Sequence, residues 1–158
     1  MTKELKQQFT LKISQANKTQ LVVILYEMLL VYIEEAKQAY KAENKEEFRQ
    51  GVKRAKACLH ELMASLHFEY ALSGNLLQLY AYADKKLTKA DIRYGVEELA
   101  YVEAIMEKLH AAFETVSAQD TSAPVMANTQ TVYAGLTYGK NNLTENLADQ
   151  GSSRGFRV

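Results

Sequence analysis

The sequence predicts an all-α protein: an antiparallel, up-and-down four-helix bundle followed by an irregular or disordered C-terminal tail. Three observations support this fold class. The 158-residue chain has one proline, Pro124, and four of its seven glycines follow it. Before about Val116, apolar residues recur at steps of three and four, which is the period of amphipathic helices. After Ser117 the pattern is lost, and Thr, Ser, Asn, Gln and Gly predominate.

The first predicted helix begins after Asn17. The side chain of Asn17 can cap the helix, and Gln20 stands three residues later, as in a capping box. The helix is expected to continue to about Lys41, before a polar junction at residues 43–45. Its predicted apolar face consists of Leu21, Leu25, Met28, Tyr32 and Ala36, widened by Ile24, Leu29 and Ile33.

The second predicted helix has a heptad pattern whose steps alternate between four and three residues, as in bundle packing. The apolar positions are Phe48, Val52, Ala55, Leu59, Leu62 and Leu66. Gly51 lies inside this helix, where it costs about 1 kcal/mol relative to alanine. We expect the helix to end near Tyr70, before the Ser73-Gly74 pair.

Two further helices complete the predicted bundle. The third begins at Ser73 or Asn75 and ends near Ala90, and its apolar positions are Leu76, Leu79 or Tyr80, Ala83 and Leu87. The fourth follows a stop at residues 91–95 and carries Leu99, Val102, Met106, Leu109, Phe113 and Val116. Helices joined by short links pack most simply as antiparallel neighbours.

The chain is thus divided into a flexible N-terminal segment (1–16), a four-helix bundle (17–117) and a polar C-terminal tail (118–158). The tail contains too few aliphatic residues to fold alone. One hypothesis is that its scattered apolar residues dock on the bundle, because tethering gives them a high effective concentration. These residues are Val132, Tyr133, Leu136, Tyr138, Leu143 and Leu147.

Composition argues against several classes of partner. Lys plus Arg and Asp plus Glu both number 19, so the net charge gives no reason to expect a nucleic acid or an anionic membrane surface. The longest apolar run, residues 21–33, is interrupted by Glu27 and is too short for a membrane span. We therefore predict no nucleic-acid binding and no membrane insertion.

Residue patterns that carry chemistry are sparse. Glu107 and His110 form one Glu-x-x-His pair, whereas a di-iron bundle requires two such pairs. Cys58 lies beside the second predicted helix's seam, where a packed thiol is expected rather than a nucleophile. We predict no catalytic residue, no metal site and no cofactor. A di-iron enzyme is therefore the least favoured of three interpretations of function, and the other two are binding proteins.

Three stretches carry a family resemblance. Residues 21–36 fit an L-x-x-x-L-Y core followed by spaced aliphatics, residues 62–69 fit L-x-x-S-L-x-F-E, and residues 75–82 fit N-L-x-x-L-Y-x-Y. In this order they resemble the first three helices of the flagellin-specific export chaperones, the FliS family. The resemblance covers residues 17–116. Met28 departs from it, because family members often have glycine at this position.

This resemblance implies a non-enzymatic cytoplasmic chaperone that binds the disordered C-terminal segment of newly made flagellin. Such binding prevents premature polymerisation and supports delivery to the export apparatus. A wide apolar surface suits a disordered client, which loses entropy when it becomes ordered. The predicted client-binding residues are Tyr26, Leu29, Leu72, Leu76, Leu77, Tyr80 and Tyr82. The alternative is a helical adaptor or regulator that binds another flagellar or export protein.

Overall fold

A computed structural model describes residues 1–67 and 71–126 of the chain. It contains five helices, α1 (Lys3–Gln15), α2 (Lys18–Lys41), α3 (Lys45–Ala64), α4 (Ala71–Arg93) and α5 (Glu97–Gln119). The described residues form no strand, and the predicted all-helical class is confirmed. The six apolar tail residues named above lie outside the described residues.

Four of the helices enclose the main core. Helix α2 contacts α3 and α5, and α4 contacts the same two helices. Each of the four therefore packs against two of the others, and their apolar faces meet in the middle. The largest fully buried side chains are Tyr26, Tyr80, Phe48, Leu29, Ile33, Leu59, Leu62, Leu87, Leu99, Met106, Val52 and Val102.

The predicted start of α2 is confirmed. The side chain of Asn17 accepts a hydrogen bond of 2.9 Å from the backbone N–H of Gln20. The side chain of Gln20 accepts one of 2.9 Å from the backbone N–H of Asn17 in return. This reciprocal capping box satisfies two backbone donors at the helix start, and α2 ends at Lys41, as predicted.

Helix α2 buries much of the predicted apolar face, together with Tyr26, which the prediction had not included in it. Tyr26, Leu29 and Ile33 reach the main core, whereas Leu21 and Met28 are only partly buried. Leu21 and Met28 belong to a second apolar cluster, in which they pack against buried residues of and near α1, and Met28 packs against the main core as well. Two partners on two sides explain why α2 is apolar around most of its circumference.

Helix α1 occupies the segment predicted to be flexible. The hydroxyl of Thr2 accepts a hydrogen bond of 3.2 Å from the backbone N–H of Leu5 and so caps the helix. Leu5, Phe9 and Ile13 follow at four-residue steps and belong to the cluster shared with α2. Phe9 is the buried member of this row, so α1 is fixed to α2 through a short apolar stripe.

Helix α3 confirms the predicted seam but not the predicted end. Phe48, Val52, Ala55, Leu59 and Leu62 are all buried. The helix ends at Ala64 rather than near Tyr70, because Ser65 is the C-cap and its hydroxyl donates to the carbonyl of Leu62 over 2.7 Å. A serine that hydrogen-bonds to the preceding turn competes with helix continuation.

Helices α4 and α5 place the expected residues in the core, and α4 shows which of Leu79 and Tyr80 is buried. Tyr80 is buried, whereas Leu79 is 39% exposed. Leu99, Val102 and Met106 are buried on α5. The last predicted apolar position, Val116, is 53% exposed, so the core ends before α5 does.

Gly51 allows a close contact between α3 and α2. A Cβ atom at this position would lie 3.0 Å from the Cβ of Ala36 and 3.1 Å from its Cα. The larger Gly51→Val substitution therefore forces the two helix backbones apart, and we expect it to lower the free energy of unfolding by about 1–3 kcal/mol. Urea unfolding followed by circular dichroism measures this change.

The matched control for Gly51→Val is Ala57→Val, on the exposed side of the same helix. It carries the helix propensity of valine without a contact to another helix, so its cost should stay near 0.5 kcal/mol. Equal losses in the two variants would show that Gly51 is not required for helix contact.

Candidate binding surface

A small apolar pocket opens at one end of the helices. We call it the end pocket, and it has a volume of 190 Å³. It forms where the start of α2, the end of α3, the start of α4 and the last turns of α5 meet. Its lining residues are Val22, Ser65, Leu66, His67, Leu72, Ser73, Leu76, Tyr80 and Phe113.

The end pocket leads from solvent to the main core. Leu72 stands at its rim and is 60% exposed, whereas Leu76, one turn further along α4, is buried. Tyr80 follows after another turn and is 1% exposed. Residues at steps of four lie on one side of a helix, so this row descends from the rim to the floor.

Tyr80 forms the floor of the end pocket, and Tyr26 supports Tyr80. The hydroxyls of Tyr26 and Tyr80 are hydrogen-bonded to each other. The ring of Tyr26 also packs against that of Phe113, with centroids 5.6 Å apart. Burial raises the pKa of Tyr26 far above its ordinary value and also raises that of Tyr80. Both phenols are therefore neutral, and the floor is apolar apart from this one paired contact.

A second exposed apolar patch lies between α4 and α5. We call it the tyrosine patch, and it consists of Leu79, Tyr82 and Tyr101, which are all exposed. The ammonium group of Lys86 lies 5.5 Å from the ring centroid of Tyr82 and 4.5 Å from that of Tyr101. These are cation–π distances, so Lys86 fixes the two rings relative to each other.

Ion pairs hold Lys86 in this position. Its ammonium nitrogen lies 2.8 Å from a carboxylate oxygen of Glu98, which also pairs with Lys89. Hydrogen bonds from the two lysines lower the pKa of Glu98, and the bond to Glu98 raises the pKa of Lys86. Lys86 and Glu98 consequently keep their charges across the neutral pH range, and these opposite charges lie paired beside the tyrosine patch.

The structure separates the predicted client-binding residues into groups. Tyr26, Leu29, Leu76 and Tyr80 lie in the main core. Leu72 and Tyr82 are exposed, while Leu77 is half-buried.

The position of the half-buried Leu77 follows from its place on α4. Leu77 lies seven residues before Asp84, which hydrogen-bonds His60 of α3, so Leu77 is on the side of α4 that faces α3. Leu72, Leu76 and Tyr80 come together at the end pocket, and the other four residues do not line it. The role of all seven in client binding stays a prediction.

Sequence reasoning missed several residues of the two surfaces. Val22, Leu66 and Phe113 line the end pocket, and Tyr101 belongs to the tyrosine patch. Leu66 and Phe113 had been assigned to the core because they follow the apolar repeats. Tyr101 carried a usable signal, since it lies outside the repeat of Leu99, Val102 and Met106 and yet is aromatic.

Other kinds of site are not evident in the part of the chain that the structure describes. There, no group of three or more His, Cys, Asp and Glu side chains is arranged to hold a metal ion. His110 of the Glu-x-x-His pair instead lies 3.5 Å from Glu27. None of the described helices combines the length and the apolar character required to span a bilayer.

Comparison with protein families gives a match over most of the chain. Residues 1–120 match the family described as flagellar protein FliS. A search of curated protein sequences finds no match. The family match includes α1 and all four helices that line the end pocket. Because it extends over well more than half of the 158 residues, the chain belongs to the FliS family of flagellar export chaperones.

Proposed function

We propose that this protein is a cytoplasmic export chaperone that binds the disordered C-terminal segment of flagellin. Binding prevents premature polymerisation and supports delivery of flagellin to the export apparatus, and the protein catalyses no reaction. Family membership over residues 1–120 is the observation that carries this proposal. The end pocket is the surface that best fits such a client.

The scaffold that we propose for this function is an antiparallel, up-and-down four-helix bundle of α2–α5. Supporting contacts join the late part of one helix to the early part of its neighbour. Lys37, late in α2, lies 2.9 Å from Glu103, early in α5. Arg49, early in α3, lies 3.6 Å from Asp91, late in α4. In this arrangement all four helices contribute to each end of the bundle.

The end pocket suits a peptide better than a small molecule. Its volume of 190 Å³ is below the range of about 300–1,000 Å³ that is usual for small-molecule sites. It therefore accepts one or two apolar side chains of a longer chain. A client that anchors one side chain there can extend along α4, where Leu79 and Tyr82 are exposed. It can thereby bury a wide apolar area, which offsets the entropy that the client loses on becoming ordered.

A calorimetric titration with a peptide of the flagellin C-terminal segment tests this proposal. We expect saturable binding with a negative heat-capacity change, because apolar surface becomes buried. At a free peptide concentration 100 times the dissociation constant, the free energy of unfolding rises by about 2.7 kcal/mol. For a chain of this size, that gain corresponds to a rise in melting temperature of roughly 5–10 °C.

A scrambled peptide of the same composition is the control for this titration. It should neither release comparable heat nor raise the melting temperature. If the authentic peptide also does neither at saturating concentration, flagellin is not the client. The helical adaptor, with a different flagellar or export partner, is then the better interpretation.

A further inference from the structure

The chain after α5 returns to the start of α2. The side-chain amide of Asn17 donates hydrogen bonds to the carbonyls of Asp120 (3.3 Å) and Ser122 (3.4 Å). The backbone N–H of Val125 donates to the carbonyl of Ala16 over 3.0 Å. These contacts fasten residues 120–125 to the junction between α1 and α2.

This attachment lies near the end pocket. Val22, which lines the pocket, comes six residues after Ala16, and six residues of helix span about 9 Å. Phe113, on another wall, stands seven residues before Asp120, or about 10 Å along the helix axis. The sequence that continues beyond Met126 therefore starts at the same end of the helices as the pocket.

The first apolar residues of that continuation come soon enough to reach the pocket. Val132 and Tyr133 follow Met126 by six and seven residues, and Leu136 and Tyr138 follow it by ten and twelve. Six residues reach at most about 20 Å when fully extended. A flexible chain of six residues has a root-mean-square length of about 13 Å. Both lengths exceed the separation of about 9 Å along α2.

The chemistry of segment 132–138 also fits the end pocket. The pocket is lined mainly by apolar residues, together with the polar residues Ser65, His67 and Ser73. A tyrosine matches such a site, since its ring fills apolar space while its hydroxyl requires a polar partner. Segment 132–138 offers two tyrosines together with Val132 and Leu136.

We propose that segment 132–138 of this chain docks in its own end pocket and must leave before another peptide binds there. Only the competition with flagellin rests on the function proposed above; the docking itself does not. A short flexible tether gives an effective concentration in the millimolar range. An intrinsic dissociation constant of about 0.1 mM for the segment then fills the pocket in about ten of eleven molecules.

The test compares three full-length chains. The docking variant carries Val132→Ser, Tyr133→Ser, Leu136→Ser and Tyr138→Ser. The matched control carries Thr129→Ser, Thr131→Ser, Thr137→Ser and Thr144→Ser, four changes in the same tail that remove no apolar anchor. Backbone amide NMR spectra of the three chains are recorded, and affinity for the flagellin C-terminal peptide is measured by calorimetry.

We expect the docking variant to shift the amide signals of Val22, Leu72 and Phe113, whereas the control leaves them in place. We also expect the docking variant to bind the flagellin peptide about tenfold more tightly than the unchanged chain. Signals at the pocket that are the same in all three chains would overturn the proposal. Shifts that grow with protein concentration would also overturn it, because they would show that the segment docks on a second copy.

The two readouts separate this proposal from the proposed function. If pocket signals respond to the docking variant but no chain binds flagellin peptide, the segment docks and flagellin is not the client. If all three chains bind the peptide equally and the pocket signals stay unchanged, flagellin is the client and the segment does not dock.

Discussion

Replacing Tyr80 with alanine is expected to lower the free energy of unfolding by about 3–5 kcal/mol, the range found for buried aromatic residues. Tyr80 is 1% exposed and lies among side chains of the main core, so its removal leaves a cavity. The hydroxyl of Tyr26 also loses its hydrogen-bond partner inside the protein. A loss of this size is a large part of the total stability of a domain, which is about 5–15 kcal/mol.

The matched control for Tyr80→Ala is Tyr82→Ala, two residues further along α4. Tyr82 is 43% exposed, and its described ring contact is with the ammonium group of Lys86. We expect its replacement to cost less than about 1 kcal/mol. Urea unfolding of the two variants measures the difference. Equal losses of free energy would show that the buried Tyr80 stabilises the protein no more than the exposed Tyr82 does.

Tyr80→Phe separates the two contributions to the loss at this position. It keeps the ring and removes the hydroxyl, which leaves the buried hydroxyl of Tyr26 without its partner. The expected cost is about 1–3 kcal/mol. A Tyr80→Phe loss as large as that of Tyr80→Ala would assign the whole effect to the hydrogen bond rather than to packing.

Replacing Leu72 with glutamate is expected to weaken binding of the flagellin C-terminal peptide by about 30-fold or more. Leu72 is the exposed rim of an otherwise apolar pocket. A client side chain that enters the end pocket has to cover this position, and covering a carboxylate without a partner is costly. A loss of 2 kcal/mol, the usual threshold for a binding hot spot, corresponds to about 30-fold in the dissociation constant.

Ile92→Glu is the matched control for Leu72→Glu. Ile92 lies on the same helix and is 74% exposed, but it does not line the end pocket. Both variants change an exposed residue, so the free energy of unfolding should change by no more than about 0.5 kcal/mol in each. We expect Ile92→Glu to change the dissociation constant by less than threefold. Equal weakening by the two substitutions would place the client elsewhere.

Periodicity located the helices well where each has one apolar face. On α3, the heptad positions from Phe48 to Leu62 are all buried, because this helix is polar on its other side. Asn17 and Gln20 marked the start of α2 for a local reason, since a capping box needs only these two side chains. Features of this kind are contained within one helix and can therefore be predicted from its sequence.

Features that depend on contact with a second helix were harder to predict from the sequence. The apolar surface of α2 was only partly explained, because the sequence does not say that α1 also covers Leu21 and Met28. Helix α1 was overlooked because its apolar stripe is only three residues long. The row Leu5, Phe9 and Ile13, together with a capping residue at Thr2, was nevertheless available as a signal.

The candidate site was only partly predictable for the same reason. Leu72 and Tyr82 were predicted to contact the client, and both are exposed. Tyr26 and Tyr80 were chosen from family motifs, which do not distinguish a residue that contacts a partner from one that supports the surface. The end pocket also draws on α3 and α5, and a site built from four helices cannot be assembled from one segment's pattern.

The central claim is that the end pocket receives the C-terminal segment of flagellin. Amide NMR spectra of the full-length chain, recorded with and without saturating flagellin peptide, test it most directly. We predict that the largest shifts occur at Val22, Leu66, Leu72 and Phe113, and that the signal of Ile92 stays in place. Saturable binding that leaves these four signals unchanged would contradict the claim.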